Sequence, residues 1–247
     1  MRRFFTEPQN IVDHTARILE DASHITRVLR MEPGEHILLF DGTGWEYTAE
    51  LTQIDTKECT ANILSKAYSE QEPSVQVTIF QGIPKSGKME SIIQKSVELG
   101  VSSIVPTSLE RCVAKLDRGK KETEKLKRWN KVALEAAKQC GRGKVPEVLP
   151  SVTIAKAIEQ MQAMDLALMP YEVLGHQGEC SLKSILQAKE YPSIGILIGP
   201  EGGFTDAEAA FAKAAGVKLV GLGKRILRTE TVASAMLSMI MYEKNEM

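Results

Sequence analysis

Three short segments of this chain carry residue types and spacings that can do chemistry. The first, Gly82-Ile83-Pro84-Lys85-Ser86-Gly87-Lys88, satisfies G-x-x-x-x-G-K between an apolar stretch and a helical one, the pattern of a phosphate-cradling loop. Met89 stands where such a loop needs Ser or Thr to hold magnesium, and Pro84 removes one amide that would face phosphate. These departures argue against a nucleoside triphosphatase, although Lys85 and Lys88 can still touch phosphate of another kind. The second, Gly199-Pro200-Glu201-Gly202-Gly203-Phe204, lies between an apolar strand pattern and Thr205-Asp206-Ala207-Glu208, a capping box that opens a helix. Its glycines let backbone approach a ligand closely, while Glu201 would repel a phosphate, so an uncharged or cationic ligand fits better. The third, LGKRILRTET at 222–231, alternates cationic and apolar residues at another strand-to-helix junction. It offers a slot for a flat apolar group and arginines for an anion.

Holding three such loops in place takes a packed core. Of the 247 residues 43% are hydrophobic and 26% charged, which excludes disordered, collagen-like and membrane-spanning classes. No segment approaches the roughly 18 apolar residues of a membrane span, and MRRFFTEPQN lacks the apolar run of a signal peptide, so a cytoplasmic protein without membrane contact is expected. The four cysteines, Cys59, Cys112, Cys140 and Cys180, are too far apart in sequence for a local zinc knuckle or redox pair, and no metal site is expected. The net charge of -1 conceals an uneven distribution: 7 basic and 13 acidic residues at 1–73, 15 and 8 at 74–150, and 9 and 11 at 151–247. Between 111 and 144 stand 12 basic and 4 acidic residues, enough to draw in a polyanion by counterion release or to form a solvated helix face.

The elements read as two domains. Over 21–31, Ile25, Val28 and Leu29 fall at helical spacing, and Pro33-Gly34 stops that helix. A hairpin follows, with a strand at 36–40, a turn at 41–44 and Trp45, Tyr47, Ala49 and Leu51 on one face; Cys59, Ala61 and Ile63 mark a third strand. The result is a small barrel-like module in which only Arg2, Arg3, Arg27 and Arg30 are available for phosphate. From 75 onward strands and helices alternate: strands at 75–82, 101–105, 166–169, 194–198 and 218–222, and helices at 89–99, 122–140, 153–164, 182–188, 206–215 and 229–243. Continuous apolar strands between helices imply a parallel sheet covered on both faces, with ligands at its carboxyl edge.

The pair LIGPEGGF at 197–204 and LGKRILRTET at 222–231 resembles the signature loops of the RsmE family of RNA methyltransferases, within the SPOUT superfamily. The likeness extends through RVLRM (27–31), FDG (40–42), IQKSVELGV (93–101), ERC (110–112) and QCGR (139–142), in order and without a large insertion. It implies an N-terminal PUA-like β-barrel RNA-binding domain at 1–72. A SPOUT α/β methyltransferase domain with a parallel sheet follows at 73–247, threaded as a deep trefoil knot over about 166–243. The implied activity is S-adenosylmethionine-dependent methylation of N3 of one uridine in small-subunit (16S) ribosomal RNA by a homodimer. The alternative is a non-catalytic RNA-binding assembly factor on the same fold.

By the same resemblance the cofactor contacts are Met169, Leu197, Ile198, Gly199, Pro200, Glu201, Gly202, Leu222, Gly223, Ile226, Leu227 and Arg228. Uracil N3 carries a proton, so a base or an anion-stabilising cation is needed: Arg111, Arg142 and Arg228 for the anion, Glu201 or Glu230 as base. RNA backbone contacts fall to Arg2, Arg3, Arg27, Arg30, Lys85, Lys88, Lys115, Lys120 and Lys121. The target base must leave its stack to be reached.

Overall fold

The computed structural model describes residues 1–85, 87–113, 119–172 and 181–247. They form two compact units, Met1–Glu72 with Ala137–Val145, and Pro73–Ala136 with Pro146–Met247.

The first unit holds β1 (Arg2–Phe5), β2 (Ile11–Val12), β3 (Thr15–Ile18), β4 (His36–Phe40), β5 (Trp45–Ile54) and β6 (Cys59–Tyr68). Among the described residues these make one sheet ordered β1-β4-β5-β6-β3-β2, antiparallel except between β1 and β4. The alternation in β5 and β6 buries Tyr47, Ala49, Leu51, Cys59 and Ala61 with Ile18, Ile25, Ile37 and Leu39. The turn after β4 is pinned by Asp41, whose carboxylate accepts from Thr43 N at 2.8 Å and from the Tyr47 hydroxyl at 2.9 Å. Trp45, assigned by alternation to the buried face, is 38% exposed because it is the first residue of β5, past the end of the core.

Two features depart from the sequence pattern. Strand β1 carries two arginines, yet Arg3 is half-buried beside β4 because its guanidinium pairs with Glu46 at 2.8 Å and lies 3.9 Å from the Phe40 ring centroid. The helix expected over 21–31 is a single π-helical turn, His24–Val28, closed by Leu29 N to His24 O at 2.9 Å. Ile25 alone of its apolar trio is fully buried, and Val28 is 67% exposed, so the stripe has no second anchor to extend a helix.

The second unit alternates as expected: β7 (Gln76–Gly82), α1 (Lys88–Glu98), β8 (Ser103–Ser108), α2 (Lys120–Cys140), β9 (Glu147–Val148), β10 (Val152–Thr153), α3 (Ile154–Gln162), β11 (Leu166–Pro170), α4 (Leu182–Ala188), β12 (Ser193–Ile198), α5 (Asp206–Ala214), β13 (Lys218–Val220) and α6 (Thr229–Glu243). From Ala137 onward α2 belongs to the first unit. The sheet is parallel throughout, ordered β10-β8-β7-β12-β11-β13 with β9 beside β8. Its strands are apolar along their length because α1 and α6, which pack on each other, and α3 cover it. Thr205 and Glu208 form the expected capping box of α5, with bonds of 3.2 and 2.9 Å. Among the described residues no helix is long and apolar enough to cross a membrane.

Candidate functional site

In the second unit β7, β11, β12 and β13 run parallel, so their carboxyl ends share one edge, where such sheets hold ligands. The loops leaving β11, β12 and β13 and the start of α6 surround a cavity of about 400 Å³, within the range of small-molecule sites. Ile198, Leu222, Leu227 and Val232 supply apolar wall; Lys88, Glu172, Glu201, Arg225 and Arg228 supply charge.

Glu201 is the most tightly held of these. Lys88 Nζ stands 3.0 Å from its carboxylate, and Lys85 N donates to both of its oxygens at 3.2 Å. Burial pushes the Glu201 carboxyl up, but bonds from its own backbone N–H, from Lys88 and from Lys85 outweigh it and leave the group below the usual carboxylate range. Glu201 therefore stays ionised and is a weak proton acceptor. The bond to Glu201 likewise raises the Lys88 ammonium, against partial desolvation, with Glu230 adding attraction from 3.5 Å. Glu230 Oε2 is buried and makes no hydrogen bond among the described residues.

A buried hydroxyl joins the two signature loops. Gln81, at the end of β7, donates from Nε2 to Gly82 O at 3.0 Å and to Thr229 Oγ1 at 2.9 Å. The Thr229 proton is thereby directed to Gly199 O, 2.7 Å away. Gly82 completes the closure: a Cβ there would lie 2.7 Å from Pro200 N and 2.7 Å from Leu109 Cδ1. The first glycine of the phosphate-loop-like segment thus serves close packing against the second loop. Gly223, with φ of 96°, makes the turn after β13 in a conformation that favours glycine. Across the cavity Tyr171 donates to Asp206 Oδ1 at 2.8 Å; that bond first, then desolvation, raises its phenol and keeps it a neutral donor.

Of the residues assigned to the cofactor from the sequence, Ile198, Gly199, Pro200, Glu201, Leu222, Gly223, Ile226, Leu227 and Arg228 line the cavity. Met169 and Leu197 are buried in the core beneath it, because they face the helices covering the sheet. Gly202 is turned to Arg111, whose Nη1 donates to Gly202 O at 2.9 Å. Arg228 is exposed on the cavity rim as the N-cap residue of α6. Glu230 does not line the cavity. Arg142 belongs to the first unit, where it is buried and bonded to Glu72 at 2.9 Å.

The residues assigned to RNA divide likewise. Arg2, Arg27, Arg30, Lys85 and Lys121 have exposed side chains. Arg3 is committed to Glu46 and to the carbonyls of Ala137 and Arg142, and Lys88 to the cavity wall. Lys115 lies outside the described residues, and Lys120 is placed only as the first residue of α2.

Pattern reading missed Tyr171, Glu172, Thr229 and Gln81. The first two directly follow the apolar strand β11, and that position at a carboxyl edge is the signal that would have found them. Gln81, a polar residue inside an apolar strand, carries a weaker signal of the same kind.

A family model described as an RNA methyltransferase domain matches residues 70–241, and one described as an RNA methyltransferase PUA domain matches residues 20–64. The ribosomal RNA small subunit methyltransferase E of Bacillus subtilis (strain 168) is 36% identical over 226 residues, covering 91% of this chain and 88% of the relative. The protein of the same name from Synechocystis is 32% identical over 241 residues, covering 96% and 76%. The crystal structure of a ribosomal RNA small subunit methyltransferase E from Neisseria gonorrhoeae bound to S-adenosyl methionine superposes with a TM-score of 0.86 at 34% identity, covering 98% of this chain and 97% of that one.

Proposed function

Because this chain belongs to the ribosomal RNA small subunit methyltransferase E family, we propose that it transfers a methyl group from S-adenosylmethionine to N3 of one uridine in small-subunit ribosomal RNA. The observation that carries this reading is the cavity closed by the loops after β12 and β13. Its residues suit the donor. Ile198, Leu222 and Leu227 can wall a flat heterocycle, backbone at Gly199 and Gly223 can approach it, and the carboxylates of Glu172 and Glu201 favour a cation nearby.

When bound, S-adenosylmethionine supplies a methyl group on a sulfonium; in-line attack on that carbon would break its bond to sulfur and release the neutral thioether, a displacement that needs no metal. The chain's own residues hold and orient. Lys88 and the Lys85 amide fix Glu201, and Thr229 fixes Gly199, so the two loops keep their spacing before a ligand arrives. As N3 bonds to the methyl carbon its proton must leave, and a cation beside the ring favours the anion. Arg228 takes that role in our reading, since Arg111 is engaged with Gly202 and Arg142 with Glu72. Glu201, already ionised and bonded, is ill suited as base, so the proton passes to water.

The same reading makes residues 1–72 a PUA-like RNA-binding domain and 73–247 the methyltransferase domain, knotted over about 166–243. It places a homodimer in the cytoplasm, with exposed Arg2, Arg27, Arg30 and Lys121 toward RNA phosphates. Calorimetric titration with S-adenosylmethionine and methyl transfer to purified small subunits test the activity, and nuclease digestion with mass spectrometry tests the position. Heat of binding and N3-methyluridine are expected. No heat would overturn the donor site, a methyl group at another atom would overturn the N3 assignment, and sedimentation of a monomer alone would remove the dimer.

A further inference from the structure

At one end of the first unit's sheet, two partly exposed aromatic rings and two ammonium groups meet. Trp45 and Tyr68 are register partners across β5 and β6, and their rings stand 5.4 Å apart at 90°. They are 38% and 47% exposed. Lys66, two residues before Tyr68 and so on the same face, holds Nζ 4.1 Å from the Trp45 centroid. Lys144 Nζ lies 5.7 Å from the Tyr68 ring.

The second ammonium is brought there by built structure. Residues 143–145 run along the turn between β4 and β5, with Gly44 N bonded to Gly143 O at 3.1 Å and Val145 N to Gly42 O at 3.0 Å. Lys144 N is anchored on Glu72 at 2.9 Å. Gly44 has φ of 107°, and a Cβ there would come within 2.7 Å of the Tyr68 ring, so the tyrosine is seated against bare backbone. The carboxylates close by in sequence are spent elsewhere, Glu46 on Arg3 and Glu72 on Arg142. Among the described residues neither Lys66 nor Lys144 has a carboxylate within ion-pair distance.

The first unit as a whole has 10 basic and 13 acidic residues, so its bulk charge does not attract a polyanion. This patch differs: it has ring surface for bases, cations for the phosphates between them, and no paired acid to repel either. We propose that Trp45 and Tyr68, flanked by Lys66 and Lys144, form a stacking site for an unpaired stretch of the RNA substrate, separate from the methyl-donor cavity. The site rests on the reading of the chain as an RNA methyltransferase and names where that RNA is gripped.

The full chain carries its own reporter. Trp45 is exposed while Trp129, the second tryptophan, is buried, so a stacked base quenches the former selectively. Titration with a single-stranded oligouridylate of about 12 nucleotides is expected to quench emission to saturation. Anisotropy with the labelled oligomer is expected to show affinity about 5- to 100-fold weaker for Trp45→Ala and for Tyr68→Ala. The pair Lys66→Ala with Lys144→Ala is expected to lower the slope of log affinity against log salt by about 1.4. Thermal unfolding and donor calorimetry on each variant should match the wild type. Absence of quenching, or RNA affinity unchanged in the aromatic variants, overturns the stacking site even where the wild type binds donor and methylates RNA. Loss of donor binding by the wild type would instead sink the methyltransferase reading.

Discussion

Replacing Thr229 with valine keeps the β-branched shape and removes only the hydroxyl that joins Gln81 to Gly199. Two groups then lose a bond together: half-buried Gly199 O loses this donor, and buried Gln81 Nε2 loses one of its two acceptors. A buried polar group left unsatisfied costs about 1–3 kcal/mol. Gly199 O faces the cavity and Gln81 keeps Gly82 O, so the expected total is about 1–3 kcal/mol. For a chain of this length each kcal/mol lowers Tm by about 2–4 °C, so a drop of about 2–12 °C is expected. Because Gly199 and Thr229 both line the cavity, affinity for S-adenosylmethionine should fall as well. Thr229→Ser keeps the hydroxyl and deletes one methyl group, at about 1 kcal/mol, and should retain donor affinity. Scanning calorimetry and isothermal titration on both variants read the two quantities side by side. A valine variant that melts within about 1 °C of the wild type, or a serine variant as impaired as the valine one, would refute the view that this hydroxyl couples the loops.

Gly82→Ala forces a methyl group into Pro200 and Leu109, so donor binding should weaken and stability fall by about 1–3 kcal/mol; an unaffected titration would show the loop yields freely. Arg142→Met leaves Glu72 buried without its cation, a loss of about 3–5 kcal/mol that should appear as unfolding of the first unit; a stable variant that binds donor but transfers no methyl would restore Arg142 to catalysis. Lys88→Met tests the held-down carboxylate of Glu201. Since the folded value lies below the unfolded one, that contribution is complete above the ordinary carboxylate value of about 4.3 and vanishes as pH falls through the folded one. The variant's deficit in denaturant midpoint should therefore be seen near pH 7 and shrink as the pH falls below the ordinary carboxylate value, and a deficit that stays constant would count against the pair. Arg228→Ala should lower kcat for methyl transfer more than donor affinity, and an unchanged kcat would remove it from the reaction.

Much of the second unit is legible in the chain because its signals are local. Apolar runs such as 194–198 and the 3.6-residue stripe of α1 specify strands and helices, and Thr205 with Glu208 marks where α5 begins. The two glycine-rich loops are visible for the same reason, as breaks between elements of strong period. The first unit is less so. Strand β1 is hidden by Arg2 and Arg3, since a half-buried arginine reads as surface until Glu46 is placed beside it. The turn at His24–Val28 has helical spacing without a partner for Val28.

What the sequence determined by itself is which residue types stand at strand ends, where a parallel sheet must present its ligands: Glu201, Arg228 and the glycines around them. What only the tertiary structure decided is how those groups are occupied. Lys88, Arg142 and Trp45 show it, the first drawn to two carboxylates, the second buried on Glu72, the third left facing solvent. Charge and hydrogen-bond partners far apart along the chain set these outcomes, and a pairing between positions 88 and 201 leaves no periodicity to read.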